Sequence, residues 1–483
     1  MLKKASAVIA LIVGVVIARG TTAGVGIVQD SRFDRVATSV EQKMKEYGVP
    51  GVSLAILREG NVTSRPFGVT SVDNALPVTA DTLFQIGSIT KTFTGTLVMR
   101  LVDEGKLQLD SPVRTYIPDF RVKDADASRL ATVRTLLTHM GGWEGDLFID
   151  TGDGDDALAK AVARMADSEQ VAPIGTIWSY NNAGFFVAAR LVEIATHRPY
   201  ESALNDLLIR PLGLKAFVFP ADVMTYRFAV GHGGPIDKPG VLRPWRLPRA
   251  VNGVGSIVTT AADLLRYAQF HLGDGTANGT RVMSADGLAR MQATQFVKQG
   301  TDDEMGLTWH ISNEGGVRRI SHGGSTTGQQ ALLEFIPARR FAIAILTNGS
   351  RGGQLARDVT RAALHEYLDV TVTDPAPIDS PAADRQSIVG RYTRPYADVV
   401  VARDGAHVTI QTIQKKGFPS EDVPPRPPSP AAPFAFYAKD RLIGTAGEMK
   451  LAHAEIIRRA DGTIGWIRVG GRIARKQEGP ATH

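Results

Sequence analysis

The chain has 483 residues, 43% hydrophobic and 22% charged, which suits two or three globular domains with sizeable cores. Its net charge is +6, but the basic residues are scattered and form no Lys/Arg block, so nucleic-acid binding gains no support. The absence of cysteine excludes disulfides, thiolate metal sites, a cysteine nucleophile and a lipid-bearing N-terminal cysteine.

Lys3 and Lys4 precede an apolar stretch over residues 5–18, followed by Arg19 and the small residues Gly20-Thr-Thr-Ala-Gly24. This pattern predicts an export signal over residues 1–23, cleaved after Ala23, and an extracytoplasmic protein, periplasmic or secreted. The apolar run is shorter than the ~20 residues of a spanning helix. An uncleaved N-terminal anchor is the alternative.

Between residues 31 and 47, apolar residues recur at Phe33, Val36, Val40, Met44 and Tyr47, predicting an amphipathic helix closed by Gly48 and Pro50. Residues 52–57 read as a strand that turns at Glu59-Gly-Asn61 into a second. Phe93, Leu97, Val98, Leu101 and Val102 have helical spacing, which sets Ser88 and Lys91 on the first turn of a buried helix. Further helices are expected over 133–138, 157–166, 182–196, 260–272 and 354–368, and a strand pair over 331–337 and 341–347. The acidic run Asp150-Thr-Gly-Asp-Gly-Asp-Asp156 lacks the distal glutamate of a calcium loop and reads as a solvated loop. Residues 217–251 are rich in Pro, Gly and Arg and read as a long surface excursion over the site. A proline-rich linker, 371–386, contains Asp374-Pro-Ala-Pro-Ile-Asp-Ser-Pro381. Beyond it, short β-like segments at 388–392, 399–402, 407–412, 434–437 and 464–469 predict a small antiparallel β domain over 387–478.

Ser88 and Lys91 carry the first chemical signal. A serine hydroxyl is a poor nucleophile until a base takes its proton, and a lysine three residues on lies one helical turn away on the same face. A backbone N–H at that helix end can help hold an oxyanion. The second candidate is Trp178-Ser-Tyr-Asn-Asn182. Tyr180 could share a proton with the serine, and the Asn182 amide could orient a lysine and a substrate carbonyl; taken alone, a buried Tyr-x-Asn is more often structural. The third is Ser321-His-Gly-Gly-Ser-Thr-Thr-Gly328, whose glycines allow close backbone approach and whose Ser325 N–H could be a second oxyanion donor. In isolation it also fits a glycine-rich hairpin with an incidental histidine. No Gly-x-Ser-x-Gly and no His-Glu-x-x-His occurs.

Together and in this order, Ser88/Lys91, Tyr180/Asn182 and His322/Gly324 resemble the Ser-x-x-Lys, Tyr-x-Asn and Lys/His-x-Gly motifs of the serine β-lactamase and penicillin-binding-protein superfamily. The class C-like β-lactamase and esterase branch, of peptidase S12 type, is the nearest pattern. Val49-Pro-Gly-Val52, Glu104-Gly-Lys-Leu107, Leu136-Leu-Thr-His139 and Gly255-Ser-Ile-Val-Thr-Thr-Ala-Ala-Asp263 also resemble it, so the match spans residues 30–370. The resemblance implies an α/β (α+β) fold: an antiparallel sheet flanked by helices, plus an all-helical subdomain. It also implies a serine hydrolase acting on ester, amide or peptide bonds without a cofactor. Ser88 would attack, Lys91 and Tyr180 would pass its proton to the leaving group, and the N–H groups of Ser88 and Ser325 would hold the oxyanion. His322 stands where many β-lactamases carry lysine, which removes a fixed cation and favours substrates without an obligatory carboxylate. It also predicts a rate that falls below about pH 6.5 if His322 must be neutral. Less positive charge would then depress Lys91, leaving more of that work to burial and Asn182. The alternative is a binding or sensor protein that keeps the fold but turns over poorly. Gly390-Arg-Tyr392, Phe436-Tyr437 and Ile464-Gly-Trp-Ile-Arg-Val-Gly-Gly471 are similar to the lipocalin-like C-terminal domain of some serine peptidases of this type. That likeness implies a role in covering the site or in homo-oligomer assembly. The expected partner is a small-molecule or peptide substrate, its pocket shaped by Trp143, Phe148 and Trp309.

Overall fold

The structure, a computed structural model, describes residues 30–478 apart from 406; the expected export signal lies outside the described residues. Among these residues, no helix is long and apolar enough to cross a membrane.

The first helix, Ser31–Tyr47, starts where Asp30 accepts a hydrogen bond from the Arg32 N–H at 3.1 Å and stops at Gly48, whose φ of 62° is left-handed. Its buried face carries Phe33, Val36, Ala37 and Val40 and packs beside the helix Gly352–Leu368. Both lie on one face of an eight-stranded antiparallel sheet. In spatial order the strands are Phe296–Val297, Glu304–Met305, His310–Ser312, Arg319–Ser325, Gln330–Ile336, Phe341–Thr347, Gly51–Arg58 and Asn61–Gly68. The chain's first strand therefore pairs with its late strand, Val52 opposite Thr347 and Arg58 opposite Phe341.

Both faces of these central strands are covered, which explains their unbroken apolar sequence. Val52, Leu54, Ile56, Ile343 and Ile345 point at the two-helix layer, while Ala55, Leu57, Ala342, Ala344 and Leu346 join the larger core on the other side. In that larger core lies the helix Thr90–Asp103, buried nearly all round and packed on the more apolar helix Ala183–Thr196. Its four threonines stay satisfied inside: Thr90 accepts from the Ile257 N–H at 3.1 Å, Thr92 donates to the Ile89 carbonyl at 2.8 Å, Thr96 to that of Thr92 at 2.9 Å, and Thr94 meets the Tyr200 hydroxyl at 2.7 Å.

The C-terminal domain is a closed eight-stranded antiparallel barrel, Gly390–Thr393 through Arg472–Lys476, sealed where Tyr392 pairs with Lys476 and Thr393 with Arg475. Closure leaves no free strand edge. Tyr392, Val401, Ile410, Phe434, Leu442, Ile456 and Ile467 are part of its core. The barrel docks on the N-terminal domain. Trp466 donates its indole N–H to the Val171 carbonyl at 2.9 Å, and Ile457 and Ile473 close over Val171, Ala172 and Ile177. Arg394 pairs with Glu144 at 2.8 Å and with Asp146 at 3.0 Å.

Candidate active site

Ser88 sits in a single 3₁₀ turn, Gly87–Ile89, immediately before the helix Thr90–Asp103, rather than on that helix's own first turn as expected. The tighter turn is enforced from both sides. Gly87 has a left-handed φ of 51°, and a Cβ there would lie 2.5 Å from the Ser325 nitrogen. On the other side the Ile86 N–H donates to the Ile257 carbonyl at 3.0 Å, and the Ile257 N–H donates to the Thr90 hydroxyl at 3.1 Å. This gives the Gly255–Asp263 stretch its role: it brackets the Ser88 turn.

Lys91 is 0% exposed, with Nζ 2.9 Å from Ser88 Oγ and 2.9 Å from the Val254 carbonyl. Burial first, and then the Arg472 guanidinium, push its amine well below the usual lysine range, with Asp146 opposing. The Tyr180 ring lies 5.2 Å from Lys91 Nζ. The Tyr180 hydroxyl is buried without a well-formed hydrogen bond, though Ser88 is close enough to favour its ionised form. Burial outweighs that influence and raises its pKa, so the phenol stays protonated.

The third segment arrives on the strand Arg319–Ser325. A Cβ on Gly324 would meet the Ile86 carbonyl oxygen at 1.8 Å and the Ser88 nitrogen at 3.1 Å, so only glycine lets this strand reach the serine. The Ser325 nitrogen thereby comes close to Gly87 and the Ser88 nitrogen close to Gly324. His322 is buried; its Nδ1 meets the Gly323 carbonyl at 2.6 Å, leaving Nε2 without a partner. Burial, with Lys91 next, lowers its pKa to about 3. The expected loss of rate below about pH 6.5 therefore does not belong to His322, which stays neutral far below that point.

Two other expectations need correcting. Asn182 does not orient Lys91: its amide donates to Asp146 Oδ1 at 2.8 Å, and the Val254 carbonyl takes the place beside the lysine. Trp143 and Trp309 are not pocket walls but core residues, 2% and 0% exposed. The cation missing at position 322 is matched by one the sequence reading overlooked. Arg472, at the barrel turn after Gly470-Gly471, lies 4.6 Å over the Tyr180 ring and 3.3 Å from both Asp146 oxygens. The Gly471 carbonyl also accepts the Tyr180 N–H at 2.8 Å, so the barrel fixes the backbone that presents the tyrosine. The excursion over 217–251 touches the segment entering the site, where Gln85 donates to the Trp245 carbonyl at 2.7 Å. Phe148 packs on Tyr396 and Phe418 of the barrel.

Arg472 gives a first prediction. Its positive charge disfavours protonated Lys91, so Arg472→Met lets the Lys91 pKa rise and moves the acid limb of kcat/KM to higher pH. About a tenfold larger loss is expected near pH 6 than on the alkaline plateau, measured with a p-nitrophenyl ester. An equal loss at every pH would assign Arg472 to binding alone.

Comparison with known proteins gives the same frame. The family model described as Beta-lactamase matches residues 36–367. Penicillin-binding protein 4 of Amycolatopsis lactamdurans is 36% identical over 367 residues, which is 72% of this chain and 93% of that protein. Esterase EstB of Burkholderia gladioli is 32% identical over 228 residues, 44% of this chain and 57% of that protein. The crystal structure of SurE superposes with a TM-score of 0.71 at 24% identity, covering 92% of this chain and 99% of that one, so the barrel is included in the shared fold. With its serine, lysine, tyrosine and glycine strand converging on one turn, the chain belongs to the Beta-lactamase family.

Proposed function

We propose that the protein is a serine hydrolase that forms an acyl-enzyme at Ser88 on the ester, amide or peptide carbonyls of small substrates. The observation that carries this reading is the 2.9 Å contact between Ser88 Oγ and a fully buried Lys91 whose pKa is depressed. A neutral amine takes the hydroxyl proton as the oxygen adds to the carbonyl. The N–H groups of Ser88 and Ser325 receive the oxyanion. Tyr180, held protonated by burial, supplies a proton to the leaving group and recovers one through Lys91. Water then attacks the acyl-enzyme by the same groups in reverse and frees the acid. The barrel turn at Arg472 closes the site on the Tyr180 side, which favours compact substrates.

A fluorescent phosphonate probe tests this. It should label the wild type at Ser88 and leave Ser88→Ala unlabelled, and a panel of short acyl esters, β-lactams and D- and L-amino-acid peptides should then rank the substrate classes. Labelling of the wild type no stronger than of Ser88→Ala would sink the hydrolase reading and favour a binding role.

A further inference from the structure

Behind the third motif lies a buried cation that the mechanism above does not use. Lys298, 5% exposed, follows the strand Phe296–Val297, and its Nζ lies 3.1 Å from His310 Nδ1 and 4.9 Å from the Trp178 ring. The nearest carboxylate, that of Asp303, is 3.7 Å away. His310 is on the strand next to that of His322, and the two rings are 5.2 Å apart. It is stacked on Tyr180 at 6.3 Å with an interplanar angle of 11°. These contacts fix where the ring protons sit. Burial lowers the Lys298 pKa and Asp303 opposes it; as an ammonium Lys298 can only donate, so His310 Nδ1 accepts and its proton is on Nε2. The Gly323 carbonyl can only accept, so His322 carries its proton on Nδ1 and presents a bare Nε2, which has no protein partner.

We propose that Lys298 and His310 are positioning residues: Lys298 donates to His310, which, on the strand next to that of His322, is thereby held in one tautomer between His322 and Tyr180. The groups facing this pair are Lys298, His322, His139, Tyr180 and Arg472, with Asp303, Glu455 and Arg468 around the lysine itself. Of the charged groups facing His310 directly, Lys298 acts most strongly, after burial, to keep it unprotonated. A histidinium at position 310, pressed on His322, would repel any positive charge at Lys91 and disturb the ring that stacks on Tyr180. Lys298 prevents this in acid. The role rests on the proposed assignment of Ser88, Lys91, Tyr180 and His322 to the reacting centre.

The test therefore has one arm that needs no turnover. In Ser88→Ala protein, ¹⁵N and ¹³C NMR of labelled histidines should show His310 as the Nε2–H tautomer with no protonation step between about pH 5 and 7. Adding Lys298→Met should bring a His310 step into that window and average its tautomers. Lys298→Arg should restore the parent behaviour, and Lys298→Gln, which keeps a donor without the charge, should show the step. In the Ser88 enzyme, Lys298→Met should lose about tenfold more kcat/KM at pH 5.5 than at pH 8, with Lys298→Arg recovering it. A parent His310 in the Nδ1–H tautomer overturns the proposal. So does a titration unchanged by both neutral substitutions in a protein whose remaining spectrum is native. Absence of turnover with the NMR pattern intact would instead count against the hydrolase reading.

Discussion

Lys91→Met is expected to lower ester turnover about 10³–10⁴-fold while the protein stays folded. The methionine fills nearly the same volume, so the core around Phe93 and Phe185 keeps its packing, but no group within reach of Ser88 Oγ can then take its proton. The stability effect runs the other way. Lys91 is fully buried with only Ser88 and the Val254 carbonyl as partners, and burying an unpaired amine costs stability. Because its folded pKa lies well below 10.5, the unfolded chain binds a proton that the folded chain does not between the two values. Wild-type stability therefore rises with pH across that window. Lys91→Met should melt higher than the wild type near neutral pH, with the gap shrinking as the pH approaches 10.5. Thermal melts across that range, run beside the kinetics, check both halves.

The second large effect is expected at Gly324. A methyl group there meets the Ile86 carbonyl oxygen at 1.8 Å, which neither backbone can absorb in place. The strand Arg319–Ser325 must draw back from the serine turn, taking the Ser325 N–H with it. Losing one oxyanion donor costs about 10²–10³-fold in kcat, and Gly324→Ala should fall in that range. Gly323→Ala is the matched control on the same strand. Its added methyl finds only the Ala331 carbonyl at 3.8 Å, an ordinary contact, so activity should stay within a few fold of wild type. Steady-state kinetics of the pair separate close approach at 324 from any general stiffening of the strand.

What could be read from the sequence was what the chain writes locally. Ser88 and Lys91 are three residues apart, and the apolar spacing from Phe93 to Val102 announces the buried helix that carries Lys91. The central strand at Val52–Leu57 and the pair near 331 and 341 are short apolar runs bounded by turns. In the barrel the sequence reading marked segments matching five of the eight strands. Arg441–Gly444, His453–Arg458 and Arg472–Lys476 escaped it, because outward Arg, Glu and Lys residues interrupt the inward Leu, Ile and Ala alternation. The groups that set the charge of the site were invisible for a different reason. Asp146, Lys298, His310 and Arg472 belong to no local motif and gather around Trp178 and Tyr180 only when the barrel docks and the outer strands pair. The pKa of His322 likewise follows from burial, which spacing does not disclose.

The central claim is that Ser88 becomes acylated with Lys91 as its base. Brief exposure to p-nitrophenyl acetate, acid quenching and peptide mass spectrometry measure this directly. An acetyl group on Ser88 in the wild type, absent from Lys91→Met at the same time point, is the result predicted. Ester turnover with Ser88 unmodified throughout, or acetyl found on another residue instead, would contradict it.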